Sequence, residues 1–204
     1  MSIILVRHGE TALNAARVLQ PPETPLSERG LGQAEAVAKR IAGLAPAAIL
    51  SSDLARAAQT AAAVAAATGR PVDLTPLLHE RNFGELRGLA YDSLGHDPIH
   101  DEAAPPGGES MEQFRRRVEE AFAHMLDVRA SLAGPLVVVS HGLVIRTLIE
   151  RHLRLPPGTA APERLANTSV TIFSPESPYQ VSVVNCALHL EGDLSDDARS
   201  LAGV

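Results

Sequence analysis

The chain has 204 residues, of which 45% are hydrophobic and 3% aromatic, and its formal charge is −6. This length suits one domain over 1–204, and the acidic balance without a basic patch argues against nucleic acid as a partner. Cys186 is the only cysteine, and no apolar run near the N-terminus is long enough for a signal peptide or a membrane span, so we expect a cytoplasmic protein without a membrane partner.

Short apolar runs alternate with longer amphipathic or alanine-rich runs along the chain. The first predicted element is a buried strand at 3–6, followed by a loop to about Pro25. Ser27 is a candidate N-cap for a helix over 28–42. The next predicted elements are a strand at 47–50, a helix at 53–68, a strand at 72–74, a loop with one short helix at 77–101, a helix at 111–132, a strand at 136–139 and a helix at 143–153.

Two late strands are predicted at 169–173 and 180–185, paired as a hairpin. The polar residues 191–204 are expected to be a loose acidic tail. The alternation of strands and helices predicts an α/β three-layer sandwich, with a mainly parallel central sheet and helices on both faces. A homodimer that pairs the late strands across a sheet edge is a hypothesis that the pattern allows.

Two predicted strands end in the same short motif. The first runs into Arg7-His8-Gly9 and the strand at 136–139 runs into Ser140-His141-Gly142. Ligands of such sheets lie beyond the carboxyl ends of the strands, so both histidines are expected at one rim. A neutral imidazole is a nucleophile, and the planar guanidinium of Arg7 suits phosphate oxygens. The pattern favours attack of His8 on a phosphoryl group.

Three further side chains fit this chemistry. Arg56 lies in the first turns of the helix at 53–68, where anions bind readily. Glu80 lies in a loop rich in turn residues, and as a protonated acid it could deliver a proton to a leaving alkoxide. His141 could stabilise charge on the transferring oxygens when it is protonated. Read singly, each has an ordinary alternative as a surface or strand-end residue.

The segments LVRHGETALN, PLSERG, SSDLARAAQTA, ERNFGELRG, PPGGES and VVVSHGLVIR occur in this order. Together they resemble the histidine phosphatase superfamily, which contains phosphoglycerate mutase and many small phosphatases. The resemblance covers Ile3 to about Arg146, and more weakly extends to Phe173.

The resemblance implies a role for each matched residue. It makes His8 the phosphorylated nucleophile and Glu80 the general acid, which then becomes the base that activates water. It makes Arg7, Arg56, His141 and Asn14 the residues that bind the phosphoryl group. It implies a small-molecule phosphate ester as the substrate, with no metal and no other cofactor.

The sequence lacks the motifs that are typical of other phosphate-transferring enzymes. The eight histidines form no H-E-x-x-H spacing, and Cys186 is not followed by the arginine of a cysteine phosphatase loop. No D-x-D follows the first strand, and no P-loop motif is present. A non-catalytic phosphate-binding protein stays an alternative, although the complete residue set argues against it.

The choice within the family lies between a phosphatase and a mutase. ERNFGELRG resembles the mutase version of the acid loop, but the following segment 92–102 is short, acidic and without lysine or arginine. The run Arg115–Arg117 comes later and is expected to form a solvated helix face. These features favour a metal-independent phosphatase. Sugar phosphates, phosphoglycerate-type acids and nucleoside or cofactor-precursor phosphates all stay open as substrates.

Overall fold

The computed structural model of the protein describes residues 2–195. Its strands are β1 (Ile3–Arg7), β2 (Ala48–Ser51), β3 (Val72–Leu74), β4 (Leu136–Ser140), β5 (Val170–Phe173) and β6 (Val181–Cys186). Its α-helices are α1 (Ala12–Ala15), α2 (Glu28–Ala42), α3 (Ala55–Thr68), α4 (Met111–Ala130) and α5 (Gly142–Arg151).

The six strands form one sheet in the order β3-β2-β4-β1-β5-β6. β3, β2, β4 and β1 run parallel, while β5 is antiparallel to β1, and β6 to β5. The prediction of a mainly parallel sheet is confirmed, and so is the late hairpin. In the register of β1 and β4, Arg7 lies opposite Ser140, so the two His-Gly motifs leave the sheet side by side.

Helices cover both faces of the sheet, which confirms the three-layer prediction. On one face α4 and α5 pack on the sheet through a core of buried residues that includes Ile3, Leu5, Phe114, Val118, Val138 and Leu148. On the other face α2 and α3 pack through a second core that includes Ile4, Val6, Val37, Ile41, Ala61 and Val139. Strand residues alternate between the two cores because successive side chains point to opposite faces of a strand.

Two of the predicted loops contain more local structure than the sequence suggested. The predicted loop from Arg7 to Pro25 contains α1, which Thr11 caps by accepting a hydrogen bond from the backbone N–H of Asn14. The 77–101 region contains three single-turn 3₁₀ helices, at 76–78, 84–86 and 91–93, rather than one short helix. In each case a local hydrogen bond orders a segment that lacks hydrophobic periodicity.

The predicted loose tail over 191–204 begins as an ordered segment. A 3₁₀ turn spans Gly192–Leu194, where Arg29 Nε donates to the Asp193 carbonyl at 2.7 Å and Gln33 Nε2 to the Leu194 carbonyl at 3.0 Å. The turn at 192–194 therefore contacts α2, and 196–204 lie outside the described residues. Within 2–195, no helix has the length and apolar character that crossing a membrane requires.

The start of α2 packs against the loop after β1 with backbone touching backbone. A Cβ atom added at Gly30 would lie 1.9 Å from the Glu10 carbonyl oxygen, and one at Gly9 would lie 2.6 Å from the Gly30 carbonyl oxygen. Neither backbone group can give way as a flexible side chain would. The contact therefore requires glycine at both positions and sets the path of the chain directly after His8.

Gly30→Ala should destabilise the fold by about 1–3 kcal/mol, because the added methyl group overpacks a backbone contact. Urea denaturation followed by circular dichroism measures this change. Gly43→Ala is the matched control, since a Cβ there would lie 3.4 Å from its nearest neighbour and the backbone is already helical. Equal unfolding free energies for the two variants would contradict the packing account.

Candidate active site

The carboxyl ends of three parallel strands converge at one rim of the sheet. His8 follows β1, Ser52 follows β2 and His141 follows β4. The centroids of the two histidine rings lie 5.1 Å apart, with a tilt of 56° between their planes. Both rings are fully buried. The structure thus brings the two histidines of the repeated motif together, as the sequence predicted.

The hydrogen bonds of His8 fix its tautomer. Nδ1 lies 2.7 Å from the carbonyl oxygen of Gly9, which can only accept, so Nδ1 carries the proton. The lone pair is therefore on Nε2, which is buried and has no hydrogen-bond partner among the described residues. This is the nitrogen that can attack a phosphorus atom.

The backbone around His8 is held from several directions. Its N–H donates to the Ser140 carbonyl at 3.0 Å, and its carbonyl accepts from Asn167 Nδ2 at 3.1 Å and from the Thr168 N–H at 3.3 Å. The N–H of Gly9 donates to Thr60 Oγ1 at 3.1 Å. These contacts fix the backbone at residues 8 and 9. The imidazole ring can then move only by rotation about its side-chain torsions.

Two buried arginines lie close enough to His8 to lower its pKa. Arg7 is 0% exposed and Arg56 is 2% exposed. Burial above all, and then the positive charges of Arg56 and Arg7, hold the pKa of His8 well below the ordinary histidine value. His8 is therefore neutral near pH 7, which is the state that a nucleophile requires.

Both guanidinium groups are anchored by backbone carbonyls. Arg7 donates through one terminal nitrogen to the Leu165 carbonyl, and Arg56 donates to the Pro21 carbonyl at 3.3 Å. Burial lowers the pKa of Arg56 to about 10, so Arg56 stays cationic at neutral pH. Its Nε is buried without a partner among the described residues. This arrangement provides fixed positive charge for an anionic group.

Glu80 enters the site from the loop before α4. Its carboxylate accepts two backbone hydrogen bonds, from the Arg81 N–H at 2.9 Å and from the Leu143 N–H at 3.1 Å. Burial raises the pKa of Glu80, against the lowering effects of these amides and of Arg56 and Arg7. A carboxyl group with a raised pKa holds its proton to higher pH and can act as an acid.

His141 is the N-cap residue of α5, directly before the helix whose first turn contacts Glu80. Its Nε2 lies 2.9 Å from Ser52 Oγ, and its Nδ1 is buried without a partner among residues 2–195. Burial, followed by the charges of Arg56 and neighbouring basic groups, holds the pKa of His141 well below its ordinary value. His141 is thus neutral near pH 7, and the positive charge expected of it requires a negative charge close to the ring.

Asn14 is fully buried in α1, and its Oδ1 accepts from the Thr11 N–H at 3.0 Å. The Thr11 hydroxyl in turn lies 2.7 Å from Gln20 Oε1. Asn14 therefore stabilises the turn after the His8 motif, and its contact with a phosphoryl group stays a prediction.

The site also includes a narrow cleft. Its lining residues are Gln20, Pro22, Leu54, Arg56, Glu80, Arg81, Phe83 and Arg87. Of the predicted site residues, Arg56 and Glu80 thus line this cleft, while His8, Arg7 and His141 lie at the strand ends. Over the described part of the chain, no cluster of three or more His, Cys, Asp or Glu residues could hold a metal ion.

The sequence analysis missed several residues that hold the site. Ser52 could have been found, because it directly follows the predicted strand at 47–50. Thr60 and Asn167 carry no local signal, because their partners, Gly9 and His8 respectively, are far away in sequence. The prediction that Arg115–Arg117 forms a solvated face is wrong for Arg117, whose guanidinium turns inward to the loop of Glu80.

Known proteins are similar to this chain in both sequence and fold. The family model of the histidine phosphatase superfamily (branch 1) matches residues 3–185. A Yersinia pestis protein named probable phosphoglycerate mutase GpmB is 37% identical over 193 residues, which cover 89% of each chain.

Solved structures of two phosphatases are also similar. Mycobacterial glucosyl-3-phosphoglycerate phosphatase, in a complex with VO3, is 30% identical with a TM-score of 0.76, covering 91% of this chain and 99% of that one. The alpha-ribazole phosphatase of Shigella flexneri is 26% identical with a TM-score of 0.77, covering 92% and 97%. With the family model matching nearly the whole described chain, the protein belongs to the histidine phosphatase superfamily, branch 1.

Proposed function

We propose that this chain is a metal-independent phosphatase that hydrolyses a small-molecule phosphomonoester through a phosphohistidine on His8. The observation that carries the proposal is the state of His8: a fixed neutral tautomer with the Nε2 lone pair unpartnered among the described residues and two buried arginines nearby. Phosphate-monoester hydrolysis is extremely slow without catalysis, and a covalent intermediate divides it into two easier steps.

In the first step, His8 Nε2 attacks phosphorus and the ester P–O bond breaks. Glu80 gives its proton to the departing alkoxide, which leaves as the alcohol. In the second step, Glu80 as carboxylate takes a proton from water, whose oxygen attacks phosphorus. The P–N bond breaks, inorganic phosphate leaves, and both side chains return to their starting states. Arg7, Arg56 and His141 stabilise the charge on the phosphoryl oxygens.

A mutase is the second candidate, because one relative bears a mutase name and the ERNFGELRG segment resembles the mutase loop. A mutase must retain a doubly phosphorylated species, which calls for additional cations at the cleft. Segment 92–102 contains no lysine or arginine. The cations of the cleft besides Arg56 are Arg81, which donates to backbone carbonyls, and Arg87. Asp101 pairs with His96 inside the segment, whereas Asp92 pairs with Arg17, which is 75 residues away in sequence. The lack of lysine and arginine in this segment supports the phosphatase as the better candidate.

Phosphate release from a panel of phosphomonoesters in excess EDTA should depend on His8. The names of the relatives suggest including 3-phosphoglycerate, glucosyl-3-phosphoglycerate and a nucleoside 5′-phosphate analogue. We expect EDTA-resistant turnover that His8→Ala abolishes and that His124→Ala, a histidine on α4 away from the cleft, leaves unchanged. Isomerisation of 3-phosphoglycerate without phosphate release would favour the mutase, and undiminished turnover by His8→Ala would refute the mechanism.

Glu80→Gln should lower kcat for an alkyl phosphate by about 10²–10⁴, since Gln cannot donate the proton. Binding of inorganic phosphate should change far less, because Gln keeps the shape of the side chain.

The wild-type pH profile of kcat/KM should fall as pH drops through the lowered pKa of His8 and as pH rises through the raised pKa of Glu80.

The fall on the alkaline side should disappear in Glu80→Gln, since that side reports loss of the acid's proton. Glu119→Gln, an exposed carboxylate on α4, is the control. An unchanged alkaline fall in Glu80→Gln would assign that ionisation to another group.

A further inference from the structure

Arg117 lies on α4 and has no part in the mechanism above, yet it contacts the loop that carries Glu80. Only 20% of its side chain is exposed, and its guanidinium lies 5.3 Å from the Phe114 ring centroid. Arg116, its neighbour on the helix, is exposed and makes no such contacts. This difference indicates that Arg117 binds the loop of Glu80 and does not lie on the solvated face of the helix.

The guanidinium of Arg117 holds the backbone on the N-terminal side of Glu80. One terminal nitrogen donates to the carbonyls of Leu77 at 3.0 Å and His79 at 2.7 Å. The other lies 3.4 Å from the carbonyl of Glu80 itself. A single planar cation therefore contacts three of the four carbonyl groups from Leu77 to Glu80.

Glu109 holds the C-terminal side of Glu80 and pairs with Arg117. One carboxylate oxygen of Glu109 accepts from Arg117 and also from the Asn82 N–H at 2.8 Å. The backbone N–H of Glu109 donates to the Asn82 carbonyl at 2.9 Å. The pair, 20% and 16% exposed, thus fixes the chain on both sides of Glu80.

The position of the Glu80 carboxylate depends on this backbone. Both of its hydrogen bonds come from backbone amides, one from Arg81 in the same loop and one from Leu143 in α5. A shift of the loop would move the carboxylate away from the Leu143 amide and change its position in the cleft that it lines with Arg56. Small displacements of a catalytic group are costly because catalysis depends on orientation.

We propose that Arg117 and Glu109 are positioning residues that hold Glu80 where it can protonate the leaving group. The inference rests on the proposed function, in which Glu80 is the general acid. Arginine suits this position because its fixed fork can donate to several carbonyls and a carboxylate at once, which a lysine ammonium reproduces poorly.

A leaving-group comparison separates positioning of the acid from a merely structural role. 4-Nitrophenolate is a weak base and leaves without a proton, whereas an alkoxide needs the acid. The quantity to measure is kcat/KM for the best alkyl phosphate divided by kcat/KM for 4-nitrophenyl phosphate. This ratio reports the first phosphoryl transfer, and general loss of folded enzyme cancels from it.

Arg117→Gln should lower the ratio by about tenfold or more, and Glu80→Gln should lower it further. Arg116→Gln should leave the ratio unchanged. Arg117→Lys should fall between wild type and Arg117→Gln, because it restores charge without the fork. Should Arg117→Gln fail to fold, as judged by circular dichroism, Glu109→Gln tests the other half of the pair and should lower the ratio in the same direction.

The outcomes distinguish this inference from the proposed function. Equal losses on both substrates in Arg117→Gln and Glu109→Gln, together with a lowered ratio in Glu80→Gln, would overturn the positioning role and leave the phosphatase standing. An unchanged ratio in Glu80→Gln would instead remove Glu80 as the acid, and the positioning inference with it.

Discussion

The parallel pairing of β1 with β4 is the constraint on which the site depends. Arg7 opposite Ser140 means that the next residue of each strand, His8 and His141, leaves the sheet at the same level. β2 runs parallel to β4 and pairs with it, which places the Ser52 hydroxyl 2.9 Å from His141 Nε2. Both histidine rings are fully buried although they follow the ends of strands.

Burial has opposite effects on the two groups that the proposed chemistry uses. It lowers the pKa of His8 and raises the pKa of Glu80, so both are driven toward their neutral forms. Those are the forms that a nucleophile and a general acid need. The positive charges of Arg56 and Arg7 reinforce the neutrality of His8 and oppose that of Glu80.

The same shifts act against stability. The unfolded chain protonates His8 more readily than the folded one, so stability is lost as pH falls through the ordinary histidine range. The unfolded chain also ionises Glu80 more readily, so this group costs stability as pH rises above the ordinary carboxyl range. The two apolar cores on either face of the sheet must offset both costs.

How far the sequence predicted the structure differs from feature to feature. β1 and β4 were predictable because short β-branched runs followed by His-Gly carry both the strand and its functional end. The inward turn of Arg117 was not, because its partners Leu77 and His79 are about 40 residues away and its helical neighbours Arg115 and Arg116 look equivalent in sequence. The backbone contact between Gly9 and Gly30 likewise exists only once α2 has packed on the loop.

The proposed phosphohistidine on His8 can be trapped during turnover. The most direct measurement is rapid quenching with a radiolabelled phosphomonoester into alkaline denaturant, followed by digestion and mapping of the label. We expect a base-stable, acid-labile phosphate on the peptide that contains His8, formed before phosphate release reaches its steady rate. Turnover with no phosphorylated His8 peptide, or with the label on another residue, would contradict it.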